Sequence, residues 1–265
     1  MKITMIGAGN VGFHLGKRLF KKGIAINQVY SRTRTPAQLL AKLVQAEGIN
    51  DLRQINNQSD IYILAVKDDA LAEVAQQLAE IPTLSKKLVV HTSGAVPSTV
   101  LQPHFKKYGV FYPLQTFSKK KRISFKKIPI CIDANKKKAK AVLLHLGNQI
   151  SEEVHIIKDQ ERAILHVAAV FVNNFTNHLF HIAHQICQKE GLDFALLQPL
   201  IQETVYKIKD AAPYDMQTGP GRRGDRVTIQ KHLTYLEKQV DYHNVYQLLS
   251  KRIEESYSTA NGMKK

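Results

Sequence analysis

The sequence is poor in cysteine: Cys131 and Cys187 are the two thiols in 265 residues. Each lies in an apolar context, and neither has a CxxC partner. That argues against a disulfide scaffold or a zinc site and points to a reducing compartment. Long apolar runs are missing too. The longest stretch free of Asp, Glu, Lys and Arg, Ala163 to Gln188, is broken by four histidines and three asparagines. No run of roughly 18 apolar residues is therefore available for a membrane helix. The amino end leaves no space for a leader, because Lys2-Ile3-Thr4-Met5-Ile6 already reads as a buried strand. These absences predict a soluble, cytoplasmic protein with no membrane partner. Acid is scarce relative to base, 22 residues against 38, giving a formal charge of +16. Such a field attracts anions in general, including nucleotide cofactors and acidic metabolites. The clusters at Lys119–Arg122, Lys126-Lys127 and Lys136–Lys138 read as solvated faces. They lack the aromatic interleaving of a nucleic-acid surface, so a nucleic-acid partner is not expected.

What is present is ordinary globular composition, 44% apolar and 23% charged, over a length that suits one large or two medium domains. The first half alternates short apolar runs with helical stretches. Strands are expected at Ile3–Ile6, Gln28–Tyr30, Asp60–Val66, Lys87–His91 and Gly109–Tyr112. Helices are expected at Asn10–Lys22, near Pro36–Gln45, and at Ala70–Ala79. Strands this apolar are covered on both faces, and the alternation predicts an α/β fold built on a doubly wound parallel sheet. Ile128–Asp133 and Glu153–Ile157, flanking a helix at Lys136–Gln149, extend the same sheet. After Lys158 only helices are expected: one long helix at Asp159–Lys189, then Phe194–Ala211, Val227–Gln239 and His243–Tyr257, with a disordered tail after Ser258. The division predicted is a Rossmann-type domain over residues 1–157 and a smaller all-α domain over residues 158–265, the latter contributing a substrate cleft and a dimer contact.

Gly7-Ala8-Gly9-Asn10-Val11-Gly12 is a full GxGxxG that follows a buried strand and opens a helix, the context this motif requires. Gly7 permits the tight turn, Gly9 admits a close approach of pyrophosphate, and Gly12 lets the helix pack on the sheet. The free N–H groups of the helix start meet the phosphates. The second strand ends in Tyr30-Ser31-Arg32-Thr33-Arg34, without the acid that binds the ribose hydroxyls of NAD. Arg32 can pair with a 2′-phosphate while Ser31 and Thr33 hydrogen-bond it, so NADP(H) is the expected cofactor. Ligands of such sheets lie beyond the carboxyl ends of the strands. Val66 and Lys67 there should pass over the cofactor, His91 should lie near its nicotinamide, and Ser93 and Tyr112-Pro113-Leu114-Gln115-Thr116 complete the edge. His91 reads equally as a structural histidine.

In the long helix, His166, Asn173, Asn177, His181 and His184 share one face at 3.6 residues per turn. Neutral polar groups alone on a helix face suggest burial against a cleft or a subunit. His166 is a candidate general acid and Asn173 a candidate substrate ligand; a buried hydrogen-bond network is the other reading. No metal site is expected, since His181 and His184 lack a suitable spacing and a nearby carboxylate. Thr218–Asp225 (TGPGRRGD) is a shaped turn with two arginines, of which Arg223 is the candidate anion ligand. Asp225 should cap the next helix.

On GAGNVGFHLG (Gly7–Gly16), YSRT (Tyr30–Thr33), HTSGA (His91–Ala95), YPLQTFS (Tyr112–Ser118), and TGPGRRGD with TIQKHL (Thr218–Leu233), the chain resembles a bacterial family over nearly its whole length. That family joins a Rossmann-like domain to an all-helical domain of unknown function, and its members are labelled NADP oxidoreductases. More distantly the chain is similar to pyrroline-5-carboxylate reductase, deazaflavin-dependent NADP reductases and β-hydroxyacid dehydrogenases. The last group uses a lysine one turn before an asparagine as proton donor. Ala169 and Val170 stand there in this sequence, which speaks against hydroxyacid chemistry and leaves His166 as the nearest acid. The resemblance implies hydride transfer between NADP(H) and a small, anionic carbonyl or imine compound in a homodimer. The alternative is a non-catalytic NADP(H)-binding sensor, which needs no proton donor.

Overall fold

A computed structural model describes residues 1–262. Eight strands form one sheet: β1 (Lys2–Ile6), β2 (Ala25–Tyr30), β3 (Glu47–Ile49), β4 (Ile61–Leu64), β5 (Leu88–His91), β6 (Lys107–Pro113), β7 (Ile130–Ala134) and β8 (Val154–Ile156). Their order is β3-β2-β1-β4-β5-β6-β7-β8. The chain leaves β1 in one direction through β2 and β3, then resumes on the other side of β1 with β4. The strand order therefore reverses between β1 and β4, and this is where an open α/β sheet forms its ligand crevice.

Alternate residues of each strand feed opposite faces. Ile3 and Met5 of β1, with Ile61 and Ile63 of β4, pack into a core beneath α1 (Asn10–Lys21), α2 (Arg34–Leu43) and α4 (Lys137–Ile150). Ile6, Tyr62, Leu64 and Val89 pack into a second core beneath α3 (Leu71–Ala79). Coverage on both faces is what makes these strands continuously apolar. The Arg18 guanidinium on α1 donates to the Ile150 carbonyl at 2.8 and 3.2 Å, joining the first and last helices of this layer.

The sheet is not wholly parallel. β7 pairs antiparallel to β6, from Gly109 opposite Ala134 to Pro113 opposite Ile130, and β8 then lies parallel to β7. A parallel return needs a crossover of a dozen or more residues, usually a helix. The connection from Pro113 to Ile130 is long enough for such a crossover but holds no helix, and β7 returns antiparallel to β6. The three-residue β3, not expected from the sequence, is too short to show alternation.

The chain divides into two compact units, Met1–Asn174 and Phe175–Lys265. The expected long helix is helical along its length, as α5 (Asp159–Ala169), a π-helical turn (Val170–Phe175) and α6 (Thr176–Lys189). The π turn carries more residues per turn than an α-helix, so the straight 3.6-residue face drawn from His166 through His184 does not hold across it. Of the expected polar stripe, Asn173, Asn177, His181 and His184 are exposed in the single chain.

The second unit continues with α7 (Gln198–Tyr206), α8 (Pro220–Arg223), α9 (Arg226–Leu236) and α10 (Val240–Gly262). The expected helix at Phe194–Ala211 is a short 3₁₀ turn followed by α7. The last helix continues past Ser258 to Gly262, correcting that part of the expected disordered tail; residues 263–265 lie outside the described residues. Among the described residues, Ile182 and Leu236 are the buried apolar side chains of this unit. Leu192, Leu196, Leu200, Val227 and Leu248 are exposed. By itself the helical unit buries almost no core.

Gly109 permits the close approach of β6 and β7 opposite Ala134, because a Cβ there would strike the Asp133 carbonyl and lie 2.9 Å from Ala134 Cβ. Gly109→Val is expected to cost about 2 kcal/mol, as overpacking typically does, read as a lowered urea midpoint at unchanged slope.

Candidate functional site

β1 ends at Ile6, and the chain turns through Gly7 into α1. Gly7 has φ +110°, a region that L side chains rarely adopt. A Cβ on Gly7 would also strike the Ala65 carbonyl at the end of β4, and one on Gly12 would strike the Gly7 carbonyl and lie 3.2 Å from Ala65 Cβ. The turn is thus closed around Ala65. Gly9 is the opposite case, with nothing within 4 Å of where its Cβ would be. Gly9 also caps α1 without a side-chain hydrogen bond, and the first turn holds no acid. Ala8 is buried within the turn, whereas Asn10 and Val11 open the helix. The free backbone N–H groups of that first turn therefore face open space, a cradle that suits a phosphate.

At the end of β2, Ser31 is half-buried and donates its N–H to the Ile49 carbonyl at 3.2 Å. Arg32 and Thr33 are exposed. Thr33 is the N-cap of α2, yet its side chain makes no cap hydrogen bond, which leaves its hydroxyl available. Across the crevice, Val66 is half-buried beside the glycine turn, while Lys67 is exposed at the start of a 3₁₀ turn.

His91, at the end of β5, is 0% exposed. Its Nδ1 accepts the Ser93 N–H at 3.2 Å, and Nε2 points toward the Pro97 carbonyl without closing a hydrogen bond. The ring reaches no open surface and braces the loop through the Ser93 N–H. Burial first, and the Arg162 charge second, push its pKa down to about 4. Ser93 is likewise buried, and its Oγ accepts the N–H groups of Ala95 and Val96 at 3.2 and 3.0 Å.

These turns place Gly94 where α5 and β6 approach each other. Tyr112, the last residue but one of β6, bonds through its hydroxyl to His166 Nδ1 at 3.2 Å. Both rings are partly accessible, and burial pushes the Tyr112 phenol up to about 12. Beneath them Arg162 is 0% exposed. It pairs with Asp159 at 2.7 Å and donates to the Val96 carbonyl, while Asp159 accepts from Ser98 N and Oγ at 2.8 Å each. Sequence reasoning did not single out Arg162 or Asp159, and it placed Tyr112 only on the sheet edge. The available signal was Arg162 standing as the last charge before the 26-residue charge-free stretch. Asn173 lies exposed in the π turn and joins no hydrogen bond with this group.

Family models match a Rossmann-like domain over residues 1–115 and a domain of unknown function, DUF2520, over residues 128–253. A provisionally assigned NADP oxidoreductase of Bacteroides fragilis is 41% identical, with 96% of this chain and 98% of that chain covered and a TM-score of 0.91. The chain belongs to this Rossmann–DUF2520 family. An imine reductase of Myxococcus stipitatus in complex with NADP+ is 18% identical, covering 98% of this chain and 95% of that one, with a TM-score of 0.68. A pyrroline-5-carboxylate reductase of Coxiella burnetii is 14% identical, covering 95% and 97%, with a TM-score of 0.59. These two share its fold. None of the curated proteins matches the chain.

In the helical unit of this DUF2520 protein, the two arginines of the glycine turn have different surroundings. Arg222 donates to the carbonyls of Asp215 and Gln217 and lies 5.0 Å over the Tyr257 ring, so it holds the turn together. Arg223 keeps a side chain 65% exposed, 4.0 Å from Asp225. Asp225 caps α9 by accepting the Thr228 N–H at 3.0 Å. Among the described residues no helix is long and apolar enough to cross a membrane, and no group of three or more His, Cys, Asp or Glu is arranged to hold a metal.

The buried His91 ties stability to pH. An unfolded chain takes up this proton near pH 6.5, whereas the native ring refuses it until about 4. Stability therefore falls as pH drops through that window, by about 3 kcal/mol at most from this group. Urea titrations at pH 7.5, 6 and 4.5 check this: His91→Gln should flatten the loss seen in the wild type.

Proposed function

We propose that this protein is an NADP(H)-dependent oxidoreductase that moves a hydride to or from a small carbonyl or imine compound. The observation that carries the reading is the pairing of an open phosphate cradle at Gly9 with a β2 end that offers Arg32 and no acid. Gly7, Ala8, Gly9, Asn10, Val11 and Gly12 would hold the pyrophosphate against the start of α1. Ser31, Arg32 and Thr33 would hold the 2′-phosphate, where an acid would repel it. Val66 and Lys67 would flank the coenzyme at the end of β4, and His91 would keep the Ser93–Ala95 turn in shape from beneath. When bound, NADPH supplies the hydride.

His166 would exchange the proton that accompanies that hydride, since its ring is partly accessible and no lysine stands one turn before Asn173 or Asn174. The Ser93 hydroxyl already accepts two backbone N–H groups, so toward substrate it has only its own proton to donate. Asn173, and Arg223 in the helical unit, are the exposed polar groups left to orient a substrate. The +16 charge favours an anionic one. A homodimer accounts for the second unit: with Ile182 and Leu236 its buried apolar side chains, the exposed leucines of α7 and its neighbours need a second copy to cover them.

Four outcomes test the reading. NADPH should raise the melting temperature more than NADH at equal concentration, and Arg32→Ala should weaken NADPH at least tenfold, about 1.4 kcal/mol, while leaving NADH unchanged. His166→Ala should slow NADPH oxidation by about 100-fold or more with a carbonyl or imine substrate found by screening. Equal turnover in that variant would remove His166 as the acid. NADPH binding with no turnover on any substrate would leave a nucleotide-binding sensor. Sedimentation equilibrium should return twice the 29.9 kDa chain mass; a monomer would contradict the pairing.

A further inference from the structure

We propose that the Tyr112 hydroxyl anchors His166 at Nδ1 and thereby presents Nε2 as the ring atom that exchanges a proton with substrate. Tyr112 is then a positioning residue, acting through His166. The inference rests on the reading of His166 as the acid of the reaction, but the anchor itself is a matter of local geometry.

Three independent constraints converge on this pair. The first is the strand register: Tyr112 stands opposite Cys131 in the antiparallel β6–β7 pairing, which fixes the depth at which its ring leaves the sheet edge. The second is the buried clamp on α5. Arg162, one turn before His166, is locked to Asp159 and to the Val96 carbonyl, and Asp159 is locked to Ser98. Both ends of the clamp grip the loop that carries Gly94, so α5 is held against it. The third is the absence of a side chain at Gly94. A Cβ there would lie 2.5 Å from His166 Nδ1 and 2.8 Å from Tyr112 Cζ, so the hydroxyl and the ring meet only across a glycine. The rings cross at 68° with centroids 6.1 Å apart, an edge-on contact rather than a stack.

The direction of the hydrogen bond follows from chemistry. Buried as it is, the phenol keeps its proton throughout the neutral range. It can therefore donate to Nδ1 of a neutral imidazole, and in the proposed anchor it does so, which puts the ring proton on Nε2. When the ring is protonated, Nδ1–H donates to the same phenolic oxygen. A hydroxyl donates to a bare Nδ1 and accepts from Nδ1–H without moving, whereas a carboxylate can only accept and an ammonium group can only donate. Arg162 and Asp68 are the charges that act on the Tyr112 phenol.

The test is ring-nitrogen NMR on full-length protein carrying ¹⁵N-labelled histidine, with the His166 signals assigned by their loss in His166→Gln. At alkaline pH the wild type should show a bare Nδ1 and a protonated Nε2. Tyr112→Phe should shift the His166 ring-nitrogen signals and admit the other tautomer. Gly94→Ala, which forces the rings apart, should do the same. Unchanged melting temperature in NADPH would show that Tyr112→Phe keeps the fold. A wild-type ring protonated on Nδ1, or His166 signals identical in Tyr112→Phe, would overturn the anchor. Full turnover in His166→Ala would instead remove the acid role and leave the tautomer result to judge the anchor alone.

Discussion

The Rossmann-like half is organised around the place where β1, α1 and the end of β4 meet. There the Gly7 carbonyl, the Gly12 backbone and the Ala65 residue approach so closely that no side chain fits at either glycine. That contact presses the start of α1 against the sheet and leaves its first N–H groups uncapped, facing the open space at Gly9. It also lies at the strand-order reversal, because Ala65 directly follows β4, the strand that resumes the sheet on the far side of β1. Closed packing on one side of the turn is what creates an open cradle on the other. A helix start with no acid, no capping side chain and no Cβ in front of it is suited to an anion and to little else.

A second constraint is the buried Arg162. A fully enclosed guanidinium is costly unless paired and hydrogen-bonded, and here Asp159 and Val96 supply those partners while Nε remains without one. The pair does not serve to fill the core. It ties the first turns of α5 to the loop after β5, and the same loop brings Ser93, Gly94 and the buried His91 into register. A polar clamp specifies one arrangement where an apolar contact would permit several. The helical unit shows the opposite economy, with apolar faces exposed on α7, α9 and α10 and almost nothing buried beneath them.

Much of this was legible in the sequence. The glycine fingerprint, the apolar strands and the missing acid after Tyr30 are local signals, and each corresponds to a local physical need. Asp225 as a cap was readable for the same reason. What escaped was set by contacts distant in sequence. The reversed direction of β7 is set by its pairing with β6 across a loop without a helix, and its own apolar pattern does not reveal it. The π turn at Val170–Phe175 leaves no mark in composition, so a uniform helical wheel carried a single polar face too far. Arg222 and Arg223 are adjacent and alike in sequence, yet one grips backbone carbonyls while the other meets solvent. The Tyr112–His166 contact joins residues 54 positions apart, and only the tertiary placement of Gly94 between them makes it possible.

The account stands or falls on where the coenzyme's phosphates lie. A crystal structure of the protein grown with NADPH addresses this directly. It should place the pyrophosphate on the backbone amides at Asn10 and Val11, in front of Gly9, with the 2′-phosphate against Arg32 and Thr33. A pyrophosphate bound anywhere else, or a 2′-phosphate free in solvent with Arg32 turned away, would contradict it.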